Sequence, residues 1–247
     1  MSWIAYGVRG GILSTRYPLK PDAMPTTYRG AVVTRAASLP DQQKAERICL
    51  SDAIAVGGDA ARIDGLRCFQ CGECTRRLPE AFAMSNRFDL AEVPGEPERV
   101  RAALRARTRR WGRSVHLRHV DAGSDGSEEQ ELQAIFNPFY DANRLGIFLT
   151  ATPRHADVLV VSGVVAKPMV EALLRAYEAM PAPKVVVALG TSACSGSIFS
   201  RSDAVVGPVS AVLPVDVFVP GAPPAPLTIL HGLWVALGQA KAKGGAS

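Results

Sequence analysis

The chain has 247 residues, 47% of them hydrophobic and 21% charged, with a formal net charge of +5 at pH 7. That length suits one large domain or two ordinary ones, and the apolar fraction is enough for a buried core. No run of about 18 apolar residues occurs, which argues against a membrane-spanning helix, and the opening MSWIAYGVRGGILSTRYPLKP is too rich in Gly and too short in apolar run for a signal peptide. A cytoplasmic setting follows as the expectation, and there the five cysteines are ligands or core residues rather than disulfides.

Up to residue 92 the chain reads as short strand-like pieces separated by turns, and four of the five cysteines lie there. EVPGEPERV marks a break. Residues 93–113 follow as a basic connector at helical spacing, with arginines at 99, 101, 105, 107, 109, 110 and 113. Such a helix is either a solvated strut between domains or a contact for an anionic surface, such as a membrane face or an acidic subunit. No aromatic interleaving or nucleic-acid motif accompanies it, so no nucleic-acid partner is expected.

From Ser114 the style changes. SVHLRHVDA reads as a strand, and SEEQELQAIF as a helix whose glutamates suit its positive N-terminal end. ADVLVVSG, PKVVVALG and PVDVFVPG are short apolar runs of the kind that form buried parallel strands. KPMVEALLRAYEAM is an amphipathic helix with Pro168 in its first turn, and APPAPLTILHGLWVALGQAKAK a closing helix. Alternating strands and helices predict a three-layer parallel α/β sheet over residues 114–247. Its ligand edge lies beyond the carboxyl ends of the strands, where the loops at 121–128, 190–197 and 220–224 should meet. The polar tail KAKGGAS is the one low-complexity stretch.

Cys68, Cys71 and Cys74 form C-x2-C-x2-C, a short loop that aims successive sulfurs inward around one corner of a cubane. In the bacterial ferredoxin run C-x2-C-x2-C-x3-C-P, the fourth cysteine ligates the other cluster. Here Leu78 precedes Pro79 at that fourth place, while Cys49 stands at the mirror place of a first run whose other positions read Leu39, Gln42 and Ala45. One ligand set is kept whole and the other is lost whole. AIAVGGDAARID joins Cys49 to the triplet. Residues 1–92 thus resemble a two-cluster ferredoxin, an α+β ferredoxin-like domain with one 4Fe–4S cluster on Cys49, Cys68, Cys71 and Cys74. GILSTRYP looks like the entry segment of the ferredoxin-like subunits of complex I and membrane-bound hydrogenases. A zinc ion on the same four thiolates is the alternative.

RHVDAGS, NPFYDANRLGIFLTATPRHADVLVVSG, ACSGSIF and LPVDVFVPGAPPAP resemble the small, cluster-bearing subunit of respiratory complex I and of energy-converting NiFe hydrogenases. The resemblance implies a flavodoxin-like α/β domain with a parallel sheet whose loops hold one 4Fe–4S cluster. The four ligand places of that pattern read Asp125, Glu128, Ser192 and Ala222, so no cluster is expected there. Asp125 and Glu128 then read first as solvent-facing residues at a helix N-terminus. A hard-cation site with Ser192, or a contact with a basic partner, are the other readings. Cys194 reads as a core thiol. Arg154, His155 and Asp157 read as hydrogen-bonding structure at the entrance of a strand, or alternatively as part of a partner's pocket.

The resemblance implies an iron–sulfur subunit of a membrane-associated, complex I-like or hydrogenase-like oxidoreductase, not a catalyst alone, accepting electrons at a single cluster. The implied partners are a large subunit of the hydrogenase or quinone-reductase type, antiporter-like membrane subunits and a soluble ferredoxin. Its implied place is peripheral, on the cytoplasmic side of the membrane. The alternative is a non-redox structural or coupling subunit in which the cluster only staples the fold.

Overall fold

The computed structural model describes residues 3–242 except 12, 21, 23, 36–38, 58–59 and 113, without the side chains of 39–42 and 60. Arg113 of the basic run therefore lies outside the described residues, as do the side chains of Leu39 and Gln42. Helix α1 (Trp3–Gly10) comes first, then β1 (Val32–Thr34), α2 (Leu39–Ile48), β2 (Ile54–Gly57), β3 (Ala60–Ile63), the short α3 (Glu73–Arg77) and β4 (Phe82–Met84). β1 and β4 pair antiparallel with Val32 opposite Met84, and β2 and β3 pair with Ile54 opposite Ile63. Val32, Ala45, Ile54, Leu78 and Phe82 form a small core between them, into which Cys49, Cys68 and Cys74 also pack.

Helix α4 (Pro97–Thr108) begins with Pro97, whose missing N–H is harmless in a first turn. The Glu96 carboxylate accepts from the N–H groups of Glu98 (3.1 Å) and Arg99 (2.7 Å). The helix is docked, not a solvated strut. Leu104 is fully buried, the Thr108 hydroxyl donates to the Leu237 carbonyl (3.0 Å), and Arg107 donates to Asp216 (2.7 Å) and to the Lys184 carbonyl (3.2 Å). Arg99, Arg105, Arg109 and Arg110 remain exposed.

β5 (Val115–Asp121), α5 (Ser127–Ala134), β6 (Ile147–Leu149), β7 (Val158–Ser162), β8 (Val165–Ala166), α6 (Val170–Ala179), β9 (Val185–Leu189), α7 (Thr191–Ser195), β10 (Val205–Gly207), β11 (Val217–Val219) and α8 (Pro226–Ala236) complete the chain. Five of the strands make one parallel sheet in the order β11-β9-β7-β5-β6, and β8 pairs with β10 beside it. Counted along the chain this is the flavodoxin-like order 2-1-3-4-5, with its topological switch between β5 and β7.

Successive residues of the inner strands bury on opposite faces. Val158, Val160, Val185 and Val187 pack with Leu132, Leu230 and Leu233, whereas Leu159, Val161, Val186 and Ala188 pack with Leu173 and Ala193. Helices thus cover both faces, which is why these strands are apolar throughout. α8 is apolar around its whole circumference because it is enclosed by the sheet, α4 and α5.

Beside the unpredicted β8, β10 and α7, two differences bear on the sheet. β6 is an additional edge strand, only three residues long, with Phe148 and Leu149 left exposed. The closing helix is shorter than predicted: Pro223 and Pro224 precede it in a loop, it starts at Pro226, and Gly238 in the left-handed region (φ +67°) ends its last turn.

Gly232 on α8 allows the closest approach to the sheet, since a Cβ there would lie 2.3 Å from Cγ2 of the buried, β-branched Val219. The variant Gly232→Ala should lose about 1–3 kcal/mol of stability through overpacking, read as a lower urea midpoint at unchanged slope.

Candidate functional site

The cysteine loop is shaped by its backbone. Gln70 (φ 58°) and Gly72 (φ 76°) both turn left-handed, curling CFQCGEC so that α3 starts directly after Gly72 with Cys74 in its first turn. Cys49 closes α2, its N–H donating to the Ala45 carbonyl at 3.1 Å. All four cysteines line one narrow cavity of about 80 Å³, together with Ile48, Ile54 and Ile63. Backbone N–H groups reach two of the sulfurs, Ala53 to Cys49 Sγ at 3.3 Å and Gln70 to Cys68 Sγ at 3.4 Å.

Burial pushes the Cys68 thiol up to about 11; the Gln70 N–H opposes this, while Cys74, Cys49 and Cys71 nearby add to it. Burial likewise raises Cys74, with Cys71 and Cys49 contributing. Cys71 is the exposed member of the four. Among the described residues no three Cys, His, Asp or Glu side chains converge on a point where one ion would sit.

A second cavity of about 680 Å³ opens at the carboxyl edge of the sheet. Asp125, Glu128, Ser192 and Ala222 all line it, brought there by the loops after β5, β9 and β11, and Cys71 lines it from the other side. Two hydrogen bonds of Thr191 hold this arrangement: its hydroxyl donates to the Cys68 carbonyl (3.3 Å) and accepts from the Gly221 N–H (3.1 Å). Within the amino-terminal part, Arg29 donates to the Cys71 carbonyl at 3.2 Å.

Asp125 and Glu128 part company. Asp125 accepts from the N–H (3.0 Å) and hydroxyl (2.6 Å) of Ser127, which hold its carboxyl below the usual range. Its place is exposed, as the sequence suggests. Glu128 was expected to face solvent and does not: it is 4% exposed. Its side chain lies against Gly190, where an added Cβ would come within 2.4 Å of Oε1, so the glycine makes the space that Glu128 fills. Burial raises the Glu128 carboxyl, and the charges of Asp125 and Glu129 raise it further against the opposing pull of its own backbone N–H and Ser127.

Behind the cavity wall is a polar group that sequence patterning did not reveal. His119 Nε2 meets the Ser162 hydroxyl at 2.8 Å, that hydroxyl donates to Glu129, and Glu129 accepts from the Ser124 hydroxyl at 2.8 Å. Desolvation lowers the His119 imidazole, and Ser162 is fully buried. The available signal was a histidine on the same strand face as the apolar Val115 and Leu117. Cys194 is a core thiol whose Sγ donates to the Ala188 carbonyl at 3.5 Å. Arg154, His155 and Asp157 sit at the opposite, amino edge of the sheet, where Asp157 accepts from the His116 N–H at 2.8 Å.

The sequence pattern of the NADH ubiquinone oxidoreductase 20 kDa subunit family matches residues 126–236. The probable membrane-bound hydrogenase subunit mbhJ of Pyrococcus furiosus is 44% identical over 126 residues, covering 51% of this chain and 75% of that one. Formate hydrogenlyase subunit 7 of Escherichia coli is 39% identical over 131 residues, covering 53% of this chain and 51% of its own. An NADH-quinone oxidoreductase subunit of Citrifermentans bemidjiense is 44% identical over 103 residues, covering 42% of this chain and 60% of its own.

Because the raised carboxyl of Glu128 binds its proton more tightly in the folded than in the unfolded chain, stability falls as pH rises through the interval between the usual glutamate value and the raised one. Glu128→Gln removes that titration. The variant should gain stability relative to the parent above this interval and differ little below it, which urea midpoints at about pH 4 and about pH 8 will show.

Proposed function

We propose, from the premise that this chain belongs to the NADH ubiquinone oxidoreductase 20 kDa subunit family, that it is the iron–sulfur subunit of a membrane-associated oxidoreductase complex and accepts electrons at one 4Fe–4S cluster. Cys49, Cys68, Cys71 and Cys74 would hold that cluster. The observation that carries the reading is the position of Cys71, which lines both the cysteine cavity and the larger cavity at the sheet edge. An electron entering at the cysteine loop therefore has an exit on the side of the α/β part. The order β1-α2-β2-β3-α3-β4, with its first and last strands paired, supports a ferredoxin-like identity for the part that carries the cysteines.

When bound, the cluster supplies one-electron chemistry. The chain supplies four thiolates, two N–H donors to sulfur from Ala53 and Gln70, and an apolar wall of isoleucines that limits water. Hydrogen bonds to sulfur and exclusion of solvent are the levers by which a protein sets a cluster's potential. Asp125, Glu128, Ser192 and Ala222 supply no thiolate, so in this reading the larger cavity holds no second cluster.

Partners follow from the surfaces. Ile198 and Phe199, 51% and 50% exposed, stand at the mouth of the larger cavity and offer an apolar seat for a large subunit of the hydrogenase or quinone-reductase type. Among the described residues no helix is long and apolar enough to cross a membrane, so in this reading antiporter-like membrane subunits provide the anchorage. The chain sits peripherally on the cytoplasmic side, with a soluble ferredoxin as donor. A second reading, a structural subunit stapled by its cluster, has one observation in its favour: three of the four cysteines pack into a core too small to be stable alone.

The purified chain should contain about four irons with matching sulfide and give the EPR signal of one reduced cubane. Serine at 49, 68, 71 or 74 should remove most of the iron, whereas Cys194→Ala should keep it. About eight irons, or none in the parent chain, would overturn the assignment. Reduced ferredoxin should reduce the cluster rapidly and pass electrons to the assembled complex; a cluster that stays oxidised under those conditions favours the staple.

A further inference from the structure

We propose that Glu128 is a proton-binding site coupled to the redox state of the cluster, acting across the cavity that it shares with Cys71. This rests on the cluster assignment above and adds a second function to the same site: uptake of a proton with the electron.

The geometry carries the argument. Glu128 projects from the first turn of α5 into the cavity, backed by the Gly190 backbone, and is 4% exposed. Its side-chain hydrogen bond is to the Ser127 hydroxyl at 3.3 Å. Among the described residues, no lysine, arginine or histidine forms an ion pair with it. Burial without a cationic partner disfavours the ionised carboxyl, so a change in nearby charge shifts its proton occupancy. Cys71 lines the same cavity, and a cluster held there would bring that change of charge.

The surrounding groups leave Glu128 as the responsive one. Asp125 is exposed and held ionised by Ser127, so it contributes a constant negative charge. Glu129 is engaged by Ser124, Ser162 and His119 in the network behind the wall. Cys194, on α7, is a fully buried thiol that burial keeps protonated. Arg29 lines the cavity, but its guanidinium is directed at the Cys71 carbonyl. One added electron places one more negative charge beside Cys71. That charge favours the protonated carboxyl, so a proton leaves water and an O–H bond forms on Glu128; no other bond changes. The electron comes from a one-electron reductant of the ferredoxin class, or from dithionite in the test.

The test uses the full chain after iron and sulfide have been counted. The reduction potential is measured by EPR-monitored dithionite titration between about pH 5 and pH 9. The expected result is a potential that falls with rising pH, by up to about 59 mV per tenfold drop in proton concentration. In Glu128→Gln the same interval should be flat, and in Asp125→Asn the slope should persist. Reduced-minus-oxidised infrared spectra of the parent chain should gain a protonated-carboxyl stretch that shifts in D2O, a readout independent of whether any variant folds. A flat potential in the parent chain, a slope retained in Glu128→Gln or lost in Asp125→Asn, or no carboxyl band overturns the proposal while leaving the cluster assignment in place. Absence of iron overturns both.

Discussion

The arrangement of this chain turns on the Thr191 hydroxyl. Thr191 opens α7 at the carboxyl end of β9 and is fully buried. Its hydroxyl accepts the Gly221 N–H at 3.1 Å and donates to the Cys68 carbonyl at 3.3 Å, while its own N–H donates to the Gly221 carbonyl at 2.8 Å. One small side chain thus ties the loop after β11, the turn after β9 and the cysteine loop together. A buried hydroxyl with both donor and acceptor roles filled is a stable joint, and removing either partner strands a polar group away from water. Through this joint Cys71 comes to share a cavity with residues far away in sequence, Asp125 and Ala222 among them.

The residues that line this cavity behave in physically distinct ways. Asp125 turned outward and caps its own turn. Glu128 turned inward, into space that only a glycine at 190 leaves open. Ser192 is half-buried, and Ala222 contributes no polar group at all. Among the described residues no group of three or more Cys, His, Asp or Glu side chains is placed to hold a metal ion. What the set does provide is a buried carboxyl, Glu128, lining a cavity that Cys71 also lines.

The parts legible in the sequence are those that local pattern determines. β7 and β9 were readable because both faces are buried, which forces a continuous apolar run. The meeting of three loops at one edge was readable because parallel strands place all their carboxyl ends together. β6 was not, since three residues with two exposed apolar side chains carry no period. The burial of Glu128 was also hidden, because it depends on the missing Cβ of Gly190, far along the chain. Docking of the arginine helix depends on Arg107 finding Asp216, a pairing 109 residues apart that no local signal marks.

The two edges of the sheet end up with opposite electrostatic character. At the amino edge two carboxylates are absorbed by structure: Asp157 takes the N–H of His116 at 2.8 Å, and Asp216 takes both the Val186 N–H at 2.9 Å and the Arg107 guanidinium at 2.7 Å. Those pairs fix strand starts and hold α4 in place. At the carboxyl edge Glu128 has only its own N–H and a neighbouring hydroxyl. Low dielectric surroundings make an unpaired buried charge unfavourable, so such a group changes protonation instead of staying ionised. Paired carboxylates thus mark the amino edge, where Arg107 ties α4 to the sheet, and the buried Glu128 marks the edge where the cysteine loop docks.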